Sequence, residues 1–296
     1  MENLEIKQEN TQIEEVKLEE IPTKTEDTSL VKDFFVKDNG SSKKELASLF
    51  GQSEYELQKE FGSYKAKKIY KRLNMFIDGN SALKEEIISK LDLASKYAFY
   101  GVTVFPLHLP LAKNRLKNSG VKVRVLIGYP YGLDGYKCIK YSLKQTIDRG
   151  ADEIVLSIPS YLIKNGEIKE PIRCVKKLKK YLRKKPLTLS LDATYLTIAE
   201  IENAVNQFSA LTISGINLLV NSGVDKNLIE SVVNAVCSRA QIEYFSNVCS
   251  AEDAVSVLLS GVNLLTTHAC EQVVSDLNKK INTTSCDKPE TLDNNP

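Results

Sequence analysis

A chain of 296 residues with 42% apolar content can bury a sizeable core, and none of its stretches approaches the ~18 consecutive apolar residues of a membrane span. Its start is acidic where a signal peptide is basic and then apolar, and its six cysteines form no C-x-x-C pair, which points to free thiols in a reducing cytoplasm. The net charge of +2 averages unlike parts: residues 1–30 hold nine acids against three lysines, a net −6, and the remainder is +8. Such an excess can attract polyanions or phosphorylated ligands, although a solvated surface is its commoner meaning.

In chain order, residues 1–40 are rich in Glu, Thr and Lys without a sustained apolar period, and read as a disordered acidic arm. Residues 41–73 offer Leu46, Leu49, Phe50, Leu57 and Phe61 at helical spacing with glycines between, a small helical lead-in. From residue 74 to 281 short apolar or β-branched runs alternate with helical segments. The runs are "NMFID" (74–78), "YGVTVF" (100–105), "VKVRVLIG" (121–128), "EIVLSIP" (153–159), "LTLSLDA" (187–193), "ALTIS" (210–214), "QIEYF" (241–245) and "NLLTT" (263–267). Eight strands each followed by a helix predict an α/β fold, a closed (β/α)8 TIM barrel, with an open doubly wound sheet as the runner-up. Helix starts are expected at Asp134, Asp225 and Ser250, and stops at Gly150 and Gly261. Cys138, Cys174 and Cys237 fall on the apolar sides of helical patterns, and residues 282–296 read as a disordered tail.

Four segments in order carry a family resemblance. They are "VKVRVLIGYPYG", "RGADEIVLSIPSYLIKNGE", "LDATYLT" and "NVCSAEDAVSVLLSGVNLL". Together they are similar to motifs of the deoxyribose-phosphate aldolase family, class I aldolases on a TIM barrel, from about Phe76 to Val274. That chemistry needs an unprotonated lysine amine to attack a carbonyl, a second cation to depress its pKa, and an aspartate to relay protons. The resemblance places the Schiff-base lysine at the end of the sixth strand, where the matching run is Leu211-Thr212-Ile213-Ser214-Gly215-Ile216. Leu211 thus stands for the nucleophile, Glu243 for the second lysine, Val155 for the relay aspartate and Asp192 for the glutamate of the fifth-strand motif. Leucine forms no imine and valine moves no proton. No other lysine falls at a strand end; Lys164 lies in the turn after the fourth strand.

These readings predict a catalytically inactive barrel with a binding or structural role, and no cofactor or metal. The candidate ligand-binding residues at the strand ends are Asp192, Thr194, Ser214, Gly215, Ser246, Asn247, Thr266, Thr267 and His268. The resemblance places paired glycines of the family at Ser246 and Asn247; these two, with Thr266 and Thr267, could still donate hydrogen bonds to a phosphorylated small molecule. Asp192 and Glu243 are a carboxylate pair that could serve acid–base chemistry, although a buried acid paired with a basic group or a backbone donor is the plainer reading. The alternative function is an aldolase-type lyase of deoxyribonucleotide catabolism that uses non-standard residues. A third reading, ranked lower, is nucleic-acid association through the basic helix "KKLKKYLRKKP" (176–186). The acidic arm offers a docking segment for a protein partner, and the resemblance hints at a homodimer.

Overall fold

The computed structural model describes residues 67–78, 83–221 and 223–284. The expected arm, most of the lead-in and most of the tail lie outside them. Of the lead-in, residues 67–70 form a helical turn, and the last helix continues to Thr284, just past the expected end of the barrel at 281.

Side chains on a strand alternate between its faces, so a strand that is apolar on both must sit between two packed layers. The strands here meet that condition by closing on themselves: eight parallel strands follow one another round a barrel and β8 pairs back to β1. They are β1 (Leu73–Phe76), β2 (Gly101–Val104), β3 (Lys122–Ile127), β4 (Glu153–Ile158), β5 (Leu187–Asp192), β6 (Gly215–Leu219), β7 (Gln241–Phe245) and β8 (Leu264–Thr267). The helices between and after them are α1 (Lys84–Tyr97), α2 (Leu109–Arg115), α3 (Tyr136–Asp148), α4 (Ser160–Lys164), α5 (Lys169–Lys179), α6 (Ile198–Ser209), α7 (Lys226–Val236), α8 (Ala251–Leu259) and α9 (Cys270–Thr284). The main core lies between barrel and helices; on β3, Val123, Val125 and Ile127 join it while Arg124 and Leu126 point inward.

Local chemistry sets the helix ends. Asp225 accepts from Leu228 N at 3.0 Å and Ser250 from Asp253 N at 3.0 Å, each satisfying an otherwise unpaired first-turn donor. Gly261, with φ +97, follows α8. The start expected at Asp134 falls one residue later, since the residue flanking α3 is Gly135.

The sixth strand is the principal correction. Residues 210–214, read as a strand, form the turn between α6 and β6: Leu211 N donates to Phe208 O at 2.9 Å, and Thr212 has φ +54. A left-handed residue cannot continue an extended run. Leu211 and Ile213 are buried as apolar plugs of that turn, and the strand is the next five residues, "GINLL". Two of the three cysteines expected on apolar faces, Cys138 and Cys237, are exposed; Cys237 follows α7 with φ 48, outside its apolar stripe, and Cys174 is half-buried.

Two glycines shape the barrel interior and its mouth. A Cβ on Gly101 would come within 2.8 Å of Lys122 O and 3.3 Å of Arg124 Cδ, so the bare backbone of β2 makes room for the arginine crossing the barrel. Gly132, at φ +67, packs on the end of β4, where a Cβ would lie 2.6 Å from Ser157 O.

Candidate functional site

The barrel interior has two tiers. In the tier toward the N-terminal ends of the strands, the fully buried Arg124 guanidinium makes a two-pronged bond to Glu243, with Nη1 to Oε1 and Nη2 to Oε2 both at 2.7 Å, and a third bond to Glu153 at 2.8 Å. Thr188 donates to Glu153 at 2.6 Å, Tyr100 lies 3.3 Å from the same carboxylate, and Thr266 donates to Glu243. The Asn74 amide links the hydroxyls of Thr103 and Thr266 at 2.8 and 3.0 Å. Burial disfavours the charged guanidinium, but the fields of Glu243 and Glu153 outweigh it and hold Arg124 protonated above its usual range. Burial likewise opposes the charge on Glu153, and Arg124 and Thr188 overcome it, leaving its pKa below the ordinary carboxylate value.

The second tier, toward the mouth, is apolar. Phe76, Leu126, Val155, Leu219 and Phe245 form a buried cluster of their own, with Phe105 and Tyr129 packed on it. Phe76 is the hub: its ring centroid lies 5.0 Å from Phe245, 5.4 Å from Tyr129, 5.8 Å from Phe105 and 4.7 Å from His268. Rings at these separations are in contact and fill the space between them.

The predicted residues divide accordingly. Asp192 is buried at the end of β5, where its Oδ1 accepts from Thr194 N at 3.0 Å, and Thr194 is exposed on the rim beside it. Ser246 is buried just after β7, with no hydroxyl partner among the described residues, and Asn247 is exposed next to it. Thr267 is spent on its own loop, donating to Val248 O at 2.8 Å and accepting from Ala269 N at 3.1 Å. Thr266 lies inside the barrel, committed to Glu243. Ser214 and Gly215 are corrections: they open β6 at the opposite end of the barrel, since the strand starts where it was expected to finish, and Ser214 Oγ accepts from Leu187 N there at 3.2 Å. Leu211 lies at that far end too, where its carbonyl accepts from Lys179.

The mouth end of β6 is therefore Leu219, in register with Phe245 on β7. Glu243 points inward two residues before Phe245, and Asp192 with Glu243 is no working pair, because Glu243 is held by Arg124. Val155 lies in the apolar tier. Lys164 ends α4 on the exposed rim, its ammonium donating to Tyr195 O at 3.1 Å. The interior members Arg124, Leu126 and Phe245 escaped the sequence reading as site residues; the available signal was a charged residue at an inward position of an otherwise valine-rich strand.

Two titratable groups border the apolar tier. Burial, then Asp78, Asp192 and Tyr131, push the Tyr129 phenol up. Burial lowers the His268 imidazole below 6.5; Asp78 opposes this and Lys90 adds to it. The unfolded chain therefore takes up the proton first on acidification. The stability owed to neutral His268 is fully present above its unfolded value and is lost as the pH falls through the folded one. An NMR titration should give a His268 midpoint below that of the urea-unfolded protein, with stability declining below about pH 6.5.

The rim itself is oily. Leu83, Leu107, Tyr131, Leu133, Tyr161, Tyr195 and Ile198 are exposed, and all lie in the loops or first helical turns after β1 to β5. Scattered apolar residues are ordinary, but seven on one face make a surface suited to contact. No cluster of metal-binding side chains occurs among the described residues.

Fold and interior define a closed (β/α)8 barrel. The chain is similar to curated deoxyribose-phosphate aldolases, 38% identical over 126 residues to that of Mycoplasmoides pirum and 28% identical over 202 residues to that of Metamycoplasma arthritidis. The first match covers 40% of the chain and 54% of the relative, just over half its length; the second covers 67% and 93%. Among solved structures, the tetrameric deoxyribose phosphate aldolase of Aeropyrum pernix superposes with a TM-score of 0.65 at 16% identity, covering 77% of the chain and all of that protein. The aldolase QR15 gives 0.67 at 18% identity over 72% of the chain and 96% of its own. No protein-family model matches the chain. The chain is a deoxyribose-phosphate aldolase-like protein. Among the described residues no helix is long and apolar enough to cross a membrane.

Proposed function

We propose that the chain is a catalytically inactive relative of deoxyribose-phosphate aldolase with a binding or structural role. The observation that carries this reading is the mouth tier, where Leu219, Phe245 and Val155 pack against Phe76 and Leu126. An imine-forming site needs an amine with a free path to a carbonyl, and this tier supplies none; the titratable groups that border it, Tyr129 and His268, do not replace that amine. The amines that approach the mouth are on its outside: Lys164 is tied to the Tyr195 carbonyl, and Lys90 lies on α1. The other cation near the strand interiors, Arg124, cannot act as a nucleophile because two carboxylates hold it charged.

In this reading the polar groups left at the rim, Asp192, Thr194, Ser246, Asn247 and His268, serve any small ligand, and the exposed apolar side chains beside them serve a protein surface. A cytoplasmic setting suits the free thiols. A coupled assay for acetaldehyde release from 2-deoxyribose 5-phosphate is expected to show turnover no higher than the no-enzyme control. Turnover abolished by substituting a single lysine would establish the lyase reading instead.

A further inference from the structure

Helices α3 and α5 carry a basic face that the barrel does not neutralise. Lys140 and Lys144 of α3 lie over the Tyr181 ring at 4.8 and 5.0 Å, and Lys177 of α5 lies over Tyr136 at 5.8 Å, so aromatic faces on each side hold the ammonium groups of the other. With Lys137, Arg173 and Lys180 these make six cations, none within ion-pair distance of a carboxylate among the described residues. Four surface cations elsewhere on the barrel do pair with carboxylates: Lys113 with Asp152, Arg115 with Asp92, Arg183 with Asp148 and Lys280 with Glu252. The acids on the two helices are Glu170, in the first turn of α5, and Asp148, at the end of α3 and already taken by Arg183.

The same chain carries the complementary charge. Residues 1–30 hold nine acids and three lysines, a net −6 against the face's six cations. The 36 residues between position 30 and position 67 reach at most ~120 Å when extended, more than the ~70 Å half-circumference of a barrel of this size. Tethering places those acids at an effective concentration of order millimolar, which a free polyanion at cellular dilution does not match. From this charge complementarity and covalent reach we infer that residues 1–30 dock on the α3–α5 face of their own barrel and screen it from other polyanions.

Carbodiimide, which joins carboxylates to amines in direct contact, tests this on the full chain. An equimolar mixture of ¹⁴N- and ¹⁵N-labelled protein at micromolar concentration is cross-linked and digested. Links from residues 1–30 are expected on Lys137, Lys140, Lys144, Lys177 and Lys180, within one isotope, and to disappear at ~0.5 M salt, where charge interactions are screened within a few ångströms. Links spread evenly over lysines such as Lys84 and Lys226 would overturn the proposal, as would mixed-isotope links, which assign the face to a second copy. A second measurement uses the full chain with Glu14, Glu15, Glu19 and Glu20 changed to glutamine. Binding of a labelled single-stranded RNA at 0.1 M salt should tighten roughly tenfold; equal binding by both proteins would show that the acids do not cover the face.

Discussion

Arg124→Met is expected to lower the unfolding free energy by about 3–5 kcal/mol, the cost of removing one partner of a buried ion pair and leaving the other charged. Two carboxylates depend on this guanidinium, Glu243 through two bonds and Glu153 through one, and both are nearly inaccessible to water. The variant must either keep them ionised without a counter-charge or protonate them, so its stability should rise on acidification over a range where the parent's falls. Adding Glu243→Leu and Glu153→Leu should recover most of the loss, because an apolar trio has no charge to desolvate. Urea denaturation of the three proteins at pH 7 and pH 5 checks both points. A single-variant loss below ~1 kcal/mol would mean that water reaches the lower tier.

Phe76→Ala is the second large effect, about 3–5 kcal/mol for deleting a buried ring whose neighbours cannot fully close over the gap. Phe76 touches four aromatic side chains, and its removal leaves a cavity lined by Phe105, Tyr129, Phe245 and His268. Such a cavity, walled largely by aromatic rings, should admit a small aromatic molecule that the parent excludes. Thermal shift with and without benzene reads this directly: the variant should melt lower and regain part of the loss on binding, while the parent should not respond.

Most of the barrel is legible in the sequence because its strands are the short, largely apolar runs that two packed faces impose. In "VKVRVLIG" and "EIVLSIP" a β-branched run stops at a glycine or proline, and the strand ends fall where those residues stand. The sixth strand is misread for a related reason. "ALTIS" looks more strand-like than "GINLL", and only three-dimensional packing reveals that Leu211 and Ile213 seal a turn while the plainer residues complete the sheet. Leu211, Ser214 and Gly215 therefore lie at the end of the barrel opposite to the expected one, and Leu219 occupies the mouth end of β6. The lack of an amine at either place survives the correction. The cross-barrel ion pair is not legible, since Arg124 and Glu243 are 119 residues apart and their meeting depends on closure of the sheet. For Glu243 the plainer sequence reading, a buried acid paired with a basic group, is what the structure shows, and the partner is Arg124.

The proposed inactivity rests on an inner rim packed with phenylalanine, leucine and valine. Borohydride reduction in the presence of 2-deoxyribose 5-phosphate, with intact-mass spectrometry as the readout, tests this most directly. The expected spectrum is that of the untreated chain, with no sugar-derived increment. A stoichiometric adduct mapped to one lysine would contradict the account.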